Sequence, residues 1–159
     1  MSSVNQFYTV RGYQLQDKER QVTEAMEDYM EMIVRLCEKQ PSVHVGEIAQ
    51  QLHIAGSSVT KMVKKMAALG LVHYQKHGAV SPTDQGKDLG QYFLVRHEQI
   101  SLFLQNIGVV EDRFRQTELI EHQITPHTLE VISHFNRLLI QHPDWQEALQ
   151  AEKTEQTIN

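Results

Sequence analysis

Asp28 and Glu31, then His97, then Glu118, Glu121 and His122 are oxygen and imidazole-nitrogen donors, with no thiolate among them. Asp28 and Glu31 are three residues apart, Glu118 and Glu121 likewise, and His122 follows Glu118 by four. On an α-helix these offsets bring side chains to one face. Four carboxylates and two imidazoles make a ligand set for one or two divalent cations of the manganese or iron kind, which accept hard donors. Taken singly, each residue has an ordinary reading. Acids near a helix start complement the macrodipole, His97 fits a half-buried histidine with a hydrogen bond, and His122 fits a helix C-terminal cap. The joint reading is stronger, because E-x-x-E-H concentrates three donors on about one turn. His44, His53, His73, His77, His127, His134 and His142 fit no such group.

Three helical segments must position these donors. One begins near Thr23, with Met26, Tyr29, Met30, Ile33, Val34 and Cys37 at helical spacing as its buried stripe and Asp28, Glu31 and Arg35 on another face. Gln40-Pro41-Ser42 ends it. Thr83 caps a long helix to about Asn106 with Leu89, Phe93, Ile100, Phe103 and Leu104 as its stripe and His97 at the stripe's edge. Gly108 breaks the chain, and a helix over roughly 111–122 carries the last three donors. Thr125-Pro126 opens a further helix that buries Leu129, Ile132, Phe135, Leu138 and Leu139. A last short turn starts at Pro143.

Between the first pair of donors and the rest lies VGEIAQQLHIAGSSVTKMVKKMAALGLV. Val45, Ile48, Ala49 and Leu52 form a short amphipathic helix, and Ile54-Ala55-Gly56 is its exit turn. A second helix starts at Ser57 or Ser58, either of which suits an N-cap, and Gly70 closes it. Residues 71–76 and 79–81 around His77-Gly78 read as a β-hairpin. Helix, helix and hairpin make a winged helix-turn-helix. Ser57, Ser58 and Thr60 are small polar residues that approach base edges, Lys61, Lys64 and Lys65 reach phosphates, and Lys76 and His77 sit on the wing. The ordinary alternative is an amphipathic helix with a solvated lysine face. A cation held by donors from both sides of this module would clamp it to the helices that follow.

The formal net charge of −5 is unevenly placed. Residues 42–90 hold five lysines against Glu47, Asp84 and Asp88, whereas residues 91–159 hold five basic and ten acidic side chains. The net-basic stretch is the candidate DNA reader, but its charge is modest, so phosphate attraction calls for two copies acting together. No apolar run approaches the ~18 residues that span a bilayer, and the opening MSSVNQFYTVRGYQLQDKER has no apolar core of a secretory signal. Cys37 is the single cysteine, which rules out an internal disulfide and a cysteine zinc knuckle. A cytoplasmic location without membrane contact is expected.

MEDYMEMI (26–33), SSVTKMVKKM (57–66), VRHEQISLFLQNIGV (95–109) and ELIEHQIT (118–125) together resemble the diphtheria-toxin-repressor family, and more closely its manganese-transport-regulator branch. The likeness covers about residues 23–140 in register. It implies a mainly α fold, a winged helix-turn-helix over 23–88 followed by a helical metal-binding and dimerisation domain over 89–146; it says nothing of residues 1–22, which read as an extension, and 147–159 read as a polar tail. It implies a homodimer that binds double-stranded operator DNA when manganese is present and represses manganese-uptake genes. It also assigns Asp28, Glu31, His97, Glu118, Glu121 and His122 to a cluster of two Mn²⁺ ions per subunit with bridging carboxylates, for which Fe²⁺, Zn²⁺, Cd²⁺ or Co²⁺ could substitute. Asp28 stands where the iron-responsive branch has methionine and Glu118 where it has cysteine. Oxygen in place of sulfur suits Mn²⁺, the weakest binder of the divalent series.

No enzymatic activity and no small organic ligand are expected. An iron-responsive regulator of the same family is the nearest alternative. A di-metal carboxylate enzyme is a rival of another class, but such enzymes place Glu-x-x-His motifs in a four-helix bundle, and a hairpin interrupts any such bundle here. A small-molecule-responsive winged-helix regulator with merely superficial acids is a third. Without metal, repulsion among the four acids is expected to leave the first helix loosely held. Phe93, Ile100, Phe103 and Leu104 are expected to contribute to a dimer interface.

Overall fold

The computed structural model describes residues 22–75, 77–145, 147, 148 and 151. Lys76, nearly all of the expected extension and most of the tail lie outside them. The first helix, α1 (Glu24–Cys37), starts where Thr23 Oγ1 accepts from the Met26 N–H. Its stripe of Met26, Tyr29, Met30, Ile33 and Val34 is buried, as spacing predicts, with Cys37 only half-buried.

Strand β1 (Val43–His44) leads into α2 (Val45–Leu52), whose first turn is fixed by the Glu47 carboxylate accepting the His44 N–H at 2.7 Å. Helix α3 (Gly56–Ala68) follows, then β2 (Val72–Tyr74) and β3 (Ala79–Pro82). The turn before α3 differs from the expectation. His53 takes the left-handed conformation (φ 54°) that ends α2, while Gly56 is already helical. Neither Ser57 nor Ser58 caps α3; Ala55 occupies the N-cap with extended backbone and its carbonyl accepts from Ser58 and Val59. The sheet has order β1-β3-β2, antiparallel throughout. The hairpin was expected, but β1, which pairs Val43 with Val80, was not. Two residues are too few to show a period.

Helix α4 (Asp84–Asn106) is capped by Thr83 Oγ1, which accepts from Gly86 N–H, and its 23 residues extend about 35 Å. It crosses α1 at close range because Gly90 has no side chain, and it packs on the residue before β2 because Gly86 has none. A Cβ at Gly86 would lie 1.9 Å from the Leu71 carbonyl oxygen, and one at Gly90 would lie 2.4 Å from Val34 Cγ2. Helix α5 (Arg113–Glu121) starts two residues later than expected, since Asp112 is left-handed (φ 57°), and α6 (Pro126–Gln141) is capped by Thr125 with Pro126 at its start, as expected.

Two apolar cores result. One joins α1, α2, α3 and the sheet to Phe93 and Leu94 of α4. The other joins Ile100 and Leu104 of α4 to Leu129 and Ile132 of α6. Phe93, Ile100 and Leu104 are therefore buried within the subunit and unavailable to a partner, contrary to expectation. Leu138, expected inside, is exposed along with Val131 and Ile140. Among the described residues no helix is long and apolar enough to cross a membrane.

Candidate metal centre

His97 sits on α4 where the helix passes from one core to the other, between Leu94 and Ile100. Helix α1 brings Asp28 and Glu31 to it from one side, and the last turn of α5 brings Glu118, Glu121 and the capping residue His122 from the other. The six donors thus converge from three helices. Donor atoms of Asp28, Glu121 and His122 lie within 4.8 Å of one another, and so do those of Glu31, His97 and Glu121. Glu121 belongs to both triads. Glu118 joins the second, its Oε1 3.5 Å from His97 Nδ1.

The two imidazoles face the cluster with different nitrogens. His97 presents Nδ1, 2.9 Å from Glu121 Oε2. His122 presents Nε2, 3.2 Å from Asp28 Oδ1 and 3.9 Å from Glu121 Oε1. Hydrogen bonds to Asp28 and Glu27 push His122 up to about 10 against the opposing effect of burial. The hydrogen bond to Glu121 likewise raises His97. Burial first, and the Glu121 charge second, hold Glu31 and Glu118 above the usual carboxylate range. These acids do not simply face each other: His97 and His122 stand between them, and Arg35 donates to Glu31 Oε1 at 2.6 Å. The repulsion expected to loosen α1 is therefore largely met by interleaved cationic groups.

One atom shows that the set fits a cation. Glu121 is 1% exposed and its Oε1 is buried without a hydrogen-bond partner among the described residues. A carboxylate oxygen in that position is costly unless positive charge or a donor meets it. A cavity of about 320 Å³ lined by Asp28, Glu31, Glu118, Arg35 and Phe114 opens onto the centre, and the Phe114 ring lies 5.6 Å from that of His97.

Sequence reasoning missed Glu27 and Arg96. Glu27 Oε2 accepts from Arg96 Nη2 at 2.7 Å and from His122 Nδ1 at 2.8 Å. Both are almost fully buried, and the guanidinium also lies 4.8 Å from the Phe93 ring centroid. Burial works against the Glu27 charge, but the hydrogen bonds from His122 and Arg96 prevail and hold it below the usual range. A signal existed: each falls on an apolar stripe, Glu27 three before Met30 and Arg96 between Phe93 and Ile100.

The other predicted site lies on α3 and the wing. Ser57, Ser58, Lys61, Lys64 and Lys65 are exposed, while Val59, Val63 and Met66 are buried beneath them. Thr60 is half-buried, its hydroxyl donating to the Gly56 carbonyl. His77, exposed at the hairpin tip, is left-handed (φ 75°) and precedes Gly78 in the same region, a pairing that suits tight hairpin turns.

Comparison with known proteins agrees with this layout. Residues 21–80 match the family described as iron dependent repressor, N-terminal DNA binding domain. The HTH-type transcriptional regulator MntR of Lysinibacillus sphaericus is 34% identical over 137 residues, 86% of this chain and 99% of the relative. That of Listeria welshimeri is 35% identical over 133 residues, 83% and 94% respectively. The solved structure of the manganese regulator SloR superposes with a TM-score of 0.61 at 26% identity, over 69% of this chain and 52% of that one. This chain therefore spans about half the length of that solved relative. A helix-turn-helix match at its N-terminal end, and a relative matched along nearly its whole length, place the chain in the diphtheria-toxin-repressor family of metal-dependent DNA-binding transcriptional regulators, which are not enzymes, and within it in the MntR branch.

Proposed function

We propose that this protein is a manganese-responsive repressor of manganese-uptake genes that binds operator DNA as a homodimer with two Mn²⁺ ions in each subunit. The observation that carries this reading is the pair of donor triads sharing Glu121, built from oxygen and nitrogen alone. Bound Mn²⁺ would supply positive charge at a point where hard donors, rather than sulfur, are gathered. Asp28, His122 and Glu121 are the donors for one ion; Glu31, His97, Glu118 and Glu121 are those for the other. Asp28 and Glu31 belong to the helix that underlies the DNA-reading unit (23–88), and His97, Glu118, Glu121 and His122 to the helical unit (89–146). Holding both sets favours one posture of α3 relative to the rest of the subunit. In a dimer that posture sets the spacing of two recognition helices, which must meet half-sites about 34 Å apart. Exposed Val131, Leu138 and Ile140 on α6 leave apolar surface for a partner.

The test is an anisotropy titration on a labelled duplex selected from a random pool by the Mn²⁺-loaded protein, run with Mn²⁺, Fe²⁺, Zn²⁺ and chelator in parallel. Tight binding with Mn²⁺ and loss in chelator are expected. Equal affinity with and without metal would reject the reading, and a preference for Fe²⁺ would move the chain to an iron-responsive role. Asp28→Met is expected to shift the metal ranking towards Fe²⁺.

A further inference from the structure

We propose that Glu27 and Arg96 are positioning residues for the metal centre: a buried carboxylate, itself held by a guanidinium, grips the Nδ1 edge of His122 and fixes which ring nitrogen the cation meets. This rests on the metal reading given above.

The geometry separates the two edges of the ring. Glu27 Oε2 lies 2.8 Å from His122 Nδ1 and Arg96 Nη2 lies 3.4 Å from it. A carboxylate only accepts, so a lone pair on Nδ1 would face negative oxygen at hydrogen-bond distance. Arg96 Nη2 is committed to the same Glu27 oxygen at 2.7 Å and is the more distant neighbour of the imidazole. Nε2 likewise faces carboxylate oxygen, 3.2 Å from Asp28 Oδ1, so without a cation both ring nitrogens hold protons; a cation among Asp28 and Glu121 would displace the Nε2 proton, while Nδ1 keeps its own against Glu27. A ring flip about χ2 would forfeit the bond to Glu27. Carboxylate partners of this kind orient ligating histidines and raise their basicity.

The placement of the pair points the same way. Arg96 is 3% exposed and Glu27 5%, and a buried ion pair is rarely the most stabilising filling for such a position. It joins α1 to α4 one residue away from a ligand on each helix, Asp28 on one and His97 on the other. With His122 it ties in the end of α5 as well. Three helices that supply the donors are thus pinned at a shared point beside them.

The experiment uses the full chain. In ¹⁵N-labelled protein loaded with Zn²⁺ as a diamagnetic probe, long-range ¹H–¹⁵N spectra are expected to show His122 protonated at Nδ1 and metal-bound at Nε2. Metal on Nδ1 would overturn the inference without any mutation. Free-Mn²⁺ electron spin resonance then compares affinities. Glu27→Gln is expected to weaken Mn²⁺ binding 10- to 100-fold. Because it leaves the Arg96 guanidinium without its counter-charge, the neutral pair Glu27→Gln/Arg96→Met is measured beside it. That pair is expected to restore thermal stability but not affinity; full recovery of affinity would mean that the ion pair is merely structural and would overturn the inference. Unchanged affinity in Glu27→Gln, with binding lost in His122→Ala, overturns the positioning role alone. Unchanged affinity in His122→Ala overturns the metal reading of the centre and this inference with it.

Discussion

Glu121 carries a buried oxygen, Oε1, that has no hydrogen-bond partner among the described residues. Leaving such an atom buried costs on the order of 1–3 kcal/mol, and it is common to both donor triads. Glu121→Gln keeps the shape but replaces one shared oxygen with an amide. Calorimetric titration is expected to show Mn²⁺ affinity reduced by about 100-fold or more, equivalent to about 2.8 kcal/mol, at both ions rather than one; loss confined to a single ion would refute the sharing. His122 gives a pH-dependent consequence. Its folded-state pKa near 10 stands above the ordinary 6.5. Its pairing with Asp28 and Glu27 therefore adds stability fully present below pH 6.5 and lost as pH rises through about 10. In chelator, the thermal midpoint is expected to fall across that interval, and His122→Gln to flatten the slope; an unaltered slope in the variant would contradict the assignment. The grouping of Asp28 with Glu31, and of Glu118 with Glu121 and His122, was legible because those spacings map onto a helix face, whereas their approach to His97 was expected only from the family resemblance. Glu27 and Arg96 were not, because a buried ion pair between residues 69 apart has no local period, only two charges set on apolar stripes.

Helix boundaries were legible wherever a side chain decides them. Thr23, Thr83 and Thr125 all accept the N–H three residues on. The start of α3 was misread because no side chain decides it: Ala55 turns the backbone there, and the serines enter the helix. The close crossing of α1 and α4 was also invisible, since it depends on which surfaces the glycines meet. The same holds for the contact of Gly86 with the residue before β2, which yields a sharp expectation. Gly86→Ala would drive a methyl into the Leu71 carbonyl, and backbone cannot move aside as a flexible side chain can. A loss of about 1–3 kcal/mol in urea unfolding is expected, with weaker metal-dependent DNA binding as α4 shifts from the wing. Stability within 0.5 kcal/mol (about the scatter of neutral surface changes) would show that the contact with Leu71 yields. On α3, Lys61→Ala or Lys64→Ala is expected to lower the salt slope of operator binding by about one charge, with Mn²⁺ affinity of the free protein nearly unaltered. A full salt slope would take these lysines off the DNA.

At the scale of the molecule the charge distribution suits the proposed role. Lys61, Lys64 and Lys65 of the net-basic stretch lie on the exposed side of α3, and the acidic excess lies in the C-terminal part. Binding linkage is reciprocal by thermodynamic necessity, so if Mn²⁺ tightens DNA binding, operator DNA must tighten Mn²⁺ binding by the same factor. A tenfold to hundredfold factor corresponds to ~1.4–2.8 kcal/mol. Mn²⁺ titrations with and without saturating duplex measure it, and the same Mn²⁺ affinity in both would exclude coupling between the metal centre and the operator. Helix α4, finally, runs unbroken from the reader's core into the second. No slack tether separates the two halves, so a swinging-arm response to metal is closed to this chain. A response to metal would have to pass through a stiff rod, and one some 35 Å long would convert a small change of angle near His97 into a displacement of whole ångströms at its ends.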